Sequence, residues 1–321
     1  MNMKLLLAPA LAALALGMTP LATTPALAKE KVKKVETKAT AERKTKMTDT
    51  EALKEAKKGA KQAAREQGAA QVEAKREQVM QEAIEAIRQT RLAIAALDKK
   101  DKKAALDALA KTLGQLEILL ARDPKLALAP VDVVTYALDV HADVESVKKA
   151  IKQSITLLEK GRVQDARAIV SGLASEIIIE VANIPLATYP DAIKAVVPLV
   201  EAGKFEEAKQ ALIAALNTLV ITRHIIPLPV LRAEHLLALA EQLAEKAKRS
   251  DEEQKQLDAL LEAARKELKF AEVLGYGDEG AFKPFYEMID EIEKKVAGGK
   301  HGKGFFDNLK KALEQFRMKL F

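Results

Sequence analysis

AIKQSITLLEKGRVQDARAIVSGLASEIIIEVANIPL (150–186) and AIKAVVPLVEAGKFEEAKQALIAALNTLVITRHIIPL (192–228) are near-copies lying 42 residues apart. Gly161 matches Gly203, Ala166 matches Ala208, and Ile184-Pro185-Leu186 matches Ile226-Pro227-Leu228, all without a gap. A constant offset means one supersecondary unit used twice. In each copy an amphipathic stretch stops at a glycine suited to the C′ position, and a second stretch follows. Asp143 is a good N-cap for the first copy, and Pro190 stands in the first turn of the second. By periodicity the return helices run to Ile179 and Thr222, and each is stopped at Ile-Pro-Leu, where proline lacks the amide needed to continue. The layout is similar to a tetratricopeptide unit, but the period is longer than the 34 or so residues of that repeat and its large aromatics are missing. The copies therefore predict a compact array and not a regular superhelix.

Upstream, Val79, Ile84, Ile87, Leu92 and Leu97 trace a helical stripe, DKKDKK (98–103) makes a polar turn, and 104–120 carries a second stripe. Leu97 and Ala105 stand against Leu158 and Ala166 at an offset of 61, so this hairpin resembles the two copies with a segment, 121–142, inserted after it. That insert, ARDPKLALAPVDVVTYALDVHA, reads as an irregular crossover with one short helical turn, although its β-branched run 131–136 could be extended. Downstream, 232–247 and 250–274 form a further hairpin, the latter opened by a capping box from Ser250 to Glu253. Helices at 285–296 and 305–320 close the chain, and Tyr276, Phe282, Phe285 and Tyr286 serve to pack these last hairpins on the core. The expected fold class is all-α, a compact array of antiparallel helical hairpins preceded by a disordered basic tail.

Residues 1–28 read as a signal peptide: Lys4, an apolar run over 5–16, and Ala26-Leu27-Ala28 fitting the small-x-small rule for cleavage after Ala28. A periplasmic address follows. The net charge is +6, and 29–78 holds 15 Lys/Arg against 9 Asp/Glu, so the basic character belongs to this tail. Within it 29–46 is too poor in apolar side chains to offset its ordering entropy, and the alanine-rich stretch after it reads as an exposed, fraying helix interrupted near Gly68. Contact with an anionic envelope surface suits such a tail, whereas export and the interleaved glutamates exclude nucleic acid as its partner. Four regions result: 1–28 leader, 29–78 tail, 79–228 helical core, and 229–321 C-terminal hairpins. The absence of cysteine excludes a disulfide framework, leaving apolar packing to hold the fold.

The stretch DARAIVSGLASEIIIEVANIPLATYPDAIKAVVPLVEAGKFEEAKQALIAAL (165–216), with DVVTYALDVHADVESVKKAIKQSITLLEKG (132–161) before it, resembles the YfdX family of exported bacterial helical proteins. The likeness covers 79–228 and rests on the order of a β-branched stretch, a helix, a Pro-Leu stop and an alanine-rich hairpin. It implies a role in envelope stress such as acid or antibiotic exposure, and self-association into a homo-oligomer. It carries over no catalytic residue.

Tests for chemistry are mostly negative. No serine lies in a GxSxG elbow, and the four histidines form neither HxxxH nor HExxH. GGKHGKG (298–304) lacks the order of a phosphate loop. No catalytic residue, cofactor or metal is expected. Two clusters remain as ligand-binding candidates. One is Tyr136, Asp139 and His141 in the insert, with Asp132 beside them. The other is Arg223-His224, which replaces Val181-Ala182 of the first copy and would place a titratable histidine near a helix C-terminus. The expected function is a non-enzymatic periplasmic stress protein that binds client proteins or small amphipathic molecules. The alternative is an envelope hydrolase or ligand-modifying enzyme with a cleft near 121–142.

Overall fold

In the computed structural model the described residues are 29–319, with side chains described from Glu51 onward, so the signal peptide expected over 1–28 lies outside them. The predicted hairpins are present, but the fold is not all-α. Helices α1 (Lys29–Arg76), α2 (Gln81–Asp98) and α3 (Lys102–Arg122) lead into strand β1 (Leu128–Asp139). Then come α4 (Val144–Glu159), α5 (Val163–Val170) and β2 (Ser175–Pro185), followed by α6 (Tyr189–Glu201), α7 (Phe205–Leu216) and β3 (Val220–Pro227). Helices α8 (Leu228–Ala244), α9 (Asp251–Val273), α10 (Glu279–Val296) and α11 (Asp307–Lys319) complete the chain. The repeated unit is helix–helix–strand, and it occurs three times. The stretch 121–142 is therefore mainly the strand of the first unit, not an inserted crossover.

The strands explain the misread return helices. Ser171-Gly172 ends α5 with a turn, and the run SEIIIEVANIP that follows is β-branched enough to favour a pleated surface. Likewise α7 stops at Leu216, and VITRHIIP forms β3. The three strands make an antiparallel sheet in the order β1-β2-β3, with Ile179 facing Thr135 on one side and His224 on the other. Gly161 and Gly203 do end their helices as expected: both have φ near +70°, where a glycine pays no Cβ penalty.

One sheet face carries Ile177, Ile179, Val181 and Ile226, packed with Leu228 and Leu231 of α8 and with Ala64 and Val72 of α1. This corrects the reading of 51–76 as an exposed helix broken at Gly68. The helix is continuous, and a Cβ on Gly68 would come within 2.0 Å of Ile177 Cδ1, so the glycine is what admits α1 to the sheet. The backbone of 29–46, expected to be disordered, is helical. A second core joins α2 and α3 to α6 and α7, centred on Leu109, Leu116, Ile193 and Leu212, with Tyr189 donating to Thr90 inside it at 3.1 Å. A third joins α8 to α9, α10 and α11, where Phe282, Phe285 and Phe316 meet edge to face. The α4–α5 hairpin takes little part in these cores. Of its residues only Val147, Ser154 and Ala166 are buried, while Ile155, Leu158, Val163 and Val170 are about half exposed, at 51–53 %.

Candidate functional site

The C-terminal end of β1 delivers Asp139 to a cleft of about 1230 Å³. After the strand, 140–143 turn into α4, whose N-terminus is fixed by Asp143 accepting from the Ser146 amide at 2.7 Å. Val140 of this turn, Val144 at the start of α4 and Phe270 of α9 line the cleft, as do Lys61 of α1 and Lys266 of α9. Its polar floor is Arg232, a charged residue inside the apolar run of α8 and only 6 % exposed.

Arg232 Nη2 donates to Asp139 Oδ2 at 2.6 Å, and Ser175 Oγ donates to Asp139 Oδ1 at 2.7 Å. The Ser175 amide in turn donates to the Tyr276 hydroxyl at 2.8 Å, which ties the start of β2 to the loop after α9. Burial works to raise the Asp139 carboxyl, but the Arg232 and Ser175 hydrogen bonds outweigh it and hold it below the usual carboxylate range. Glu267, 3.9 Å from Arg232 Nη1, is the reverse: burial pushes its carboxyl up against the pull of Arg232 and nearby lysines. Arg232 Nε and Glu267 Oε2 are buried without a hydrogen-bond partner. The floor thus holds one committed carboxylate, one guanidinium and one acid that resists ionisation.

The candidate residues divide among three places. Asp139 and His141 share the cleft. Tyr136 and Arg223 lie on the sheet face turned away from α1, joined through Glu180: the tyrosine hydroxyl donates to Glu180 Oε1 at 3.1 Å and Arg223 Nε at 3.0 Å. The Arg223 hydrogen bonds hold the Glu180 carboxyl low. Asp132 accepts from the Val133 amide at 2.9 Å and has no part in the cleft. His224 is on the opposite sheet face from Arg223, since alternate residues of a strand point to opposite sides. It sits in β3, not at a helix end, and burial together with Lys75 lowers its pKa. The favourable helix-dipole environment expected for it does not exist. Arg232, Ser175 and Glu267 were missed by sequence reasoning. A single arginine within IIPLPVLRA was the available sign that a buried ion pair waited there.

Among the described residues no helix is long and apolar enough to cross a membrane, and no group of three potential ligands could hold a metal ion.

A helical protein built from three helix–helix–strand units around a small antiparallel sheet, with an ion-paired cleft at the end of the first strand, is the class defined by this geometry. Residues 86–224, from within α2 to within β3, match the family described as YfdX protein, and the chain carries a YfdX domain there. A solved structure of Salmonella Typhi YfdX is similar at 15 % identity over 47 % of this chain and 93 % of that one, with a TM-score of 0.33. None of the curated proteins compared with the chain matches it.

Proposed function

We propose that this chain is an exported, non-enzymatic binding protein of envelope stress, which takes small amphipathic molecules into the cleft at the end of β1 and holds client proteins by exposed apolar segments. The observation that carries the reading is the cleft itself. Its volume of about 1230 Å³ suits a drug-sized molecule, its walls include Val140, Val144 and Phe270, and its floor is charged. Asp139 is committed to Arg232 and Ser175, which favours anchoring a polar group over proton abstraction. The half-exposed aliphatic side chains of α4 and α5 support client contact and self-association by the same chemistry. The YfdX domain supports the stress role, and the periplasm is the compartment that the leader addresses.

Thermal unfolding with tetraphenylphosphonium and with anilinonaphthalene sulfonate tests the cleft. A ligand bound to the folded state raises Tm by mass action, with saturation. Val144→Arg should fill the cleft from its wall and abolish the shift while the fold remains. A shift unchanged in Val144→Arg would remove the cleft as the binding site. The enzymatic alternative rests on Asp139 and His141 sharing one cleft, and it requires turnover that is lost in Asp139→Ala or His141→Ala.

A further inference from the structure

Strand β1 is an edge: among the described residues it pairs only with β2. The direction of its free groups follows from one hydrogen bond. Val140 N donates to Ala174 O, so the backbone groups of residues 138, 136 and 134 also turn toward β2, and those of Val133, Thr135, Ala137 and Asp139 turn outward. The first part of this edge is closed. Met80 N donates to Pro130 O at 3.0 Å, Pro130 has no amide to offer, and the outward amide of Val133 is taken by Asp132 at 2.9 Å. From Thr135 to Asp139 these devices cease.

The open part of the edge is also where the surface is concave. A groove of about 600 Å³ runs between β1 and α1, lined by Thr135, Ala137 and Asp139 on one side and by Arg65, Val72 and Arg76 on the other. Arg76 is held by Glu73 at 2.7 Å, whereas Arg65 pairs with no carboxylate among the described residues. Because α1 stands alongside, the groove admits one extended chain but not the edge of a second sheet.

We propose that this groove binds an extended segment of an unfolded polypeptide, which adds to β1 as a fourth strand and sets an acidic side chain on Arg65. Main-chain hydrogen bonds to Thr135, Ala137 and Asp139 give the affinity, and apolar side chains at alternate positions face Val72 and Ile177. The inference deepens the client-binding part of the proposed function, and the groove meets the amphiphile cleft only at Asp139, whose backbone serves the groove and whose carboxylate serves the cleft.

The test uses fluorescence anisotropy of a labelled octapeptide alternating valine and threonine with one central aspartate. Two further versions carry N-methyl groups on alternate amides, one in each phase. Binding should be lost in one phase and kept in the other, because only one set of amides faces β1. Ala137→Pro removes an outward amide without touching the ladder to β2, and it should abolish binding while circular dichroism stays unchanged. Should that variant misfold, Arg65→Glu on the exposed side of α1 should weaken the aspartate peptide at least tenfold and favour a lysine version. Equal binding of both methylated peptides, or full binding by a folded Ala137→Pro or by Arg65→Glu, would overturn the proposal. Tetraphenylphosphonium shifts measured on the same samples keep the two sites apart. Amphiphile binding without peptide binding removes only the edge site, and the reverse removes only the cleft.

Discussion

Arg232 is the residue on which the cleft depends. It serves Asp139 from β1 and lies beside Glu267 from α9, so one side chain joins sheet and bundle. Removing one partner of a buried pair leaves the other charge uncompensated, at a cost of about 3–5 kcal/mol. Arg232→Met should therefore destabilise by roughly 3 kcal/mol, the lower end applying because Asp139 keeps some contact with water. Urea unfolding measures this, and adding Asp139→Asn should recover part of the loss. The two carboxyls also fix opposite pH dependences. Glu267 has its folded pKa raised above 4.5, so its contribution is full below that value and is lost as pH rises through the folded pKa. Asp139 has its folded pKa lowered below 3.8, so its contribution is full above that value and is lost only in stronger acid. Mild acidification thus gains from the first and loses nothing from the second. In Glu267→Gln the gain in Tm between pH 7 and pH 5 should be smaller than in the parent. An equal gain would place the effect elsewhere, for instance at Glu234, whose carboxyl burial also raises. Asp139 and His141 could be found from sequence because they are neighbours in it. Arg232 stands 93 residues from Asp139, and no local pattern brings the two together.

At the scale of elements, α1 shows how composition misleads. Alanine and glycine in 51–76 looked too small to pack, yet small residues are what allow a helix to lie close on a sheet. Gly68→Ala sets a gain in helix propensity of about 1 kcal/mol against overpacking of about 1–3 kcal/mol. A net loss of about 1 kcal/mol is expected, and Ile177→Val, which deletes the interfering Cδ1, should restore stability when combined with it. Thermal unfolding of the two single variants and the double decides the matter. The strands escaped for a different reason. A short apolar run such as IIIEV cannot be told from a buried helix by periodicity alone, and Ser-Gly at 171–172 was the turn that separated them. The helix ends were legible because a left-handed glycine and an N-capping aspartate act within one turn of the chain. Strand pairing was not, because it depends on residues tens of positions apart.

At the scale of the molecule, the three units are equal in sequence order but not in packing. The helices of the first and third, α2–α3 and α6–α7, pack on each other and share one core. Their strands lie on opposite edges of the sheet, with the middle strand between them. The middle unit gives its strand to the centre and is left with a hairpin, α4–α5, that buries little. Its β2 is held from both sides, yet its helices have few contacts whose loss would open anything else. Such a division separates the stability of one repeat into two parts, since local opening needs only the free energy of the contacts broken. Amide hydrogens of β2 should therefore exchange only with global unfolding, while those of α4 and α5 exchange far sooner, although all three belong to a single repeat. Tetraphenylphosphonium, seated against Val144 at the start of α4, should slow that hairpin's exchange first.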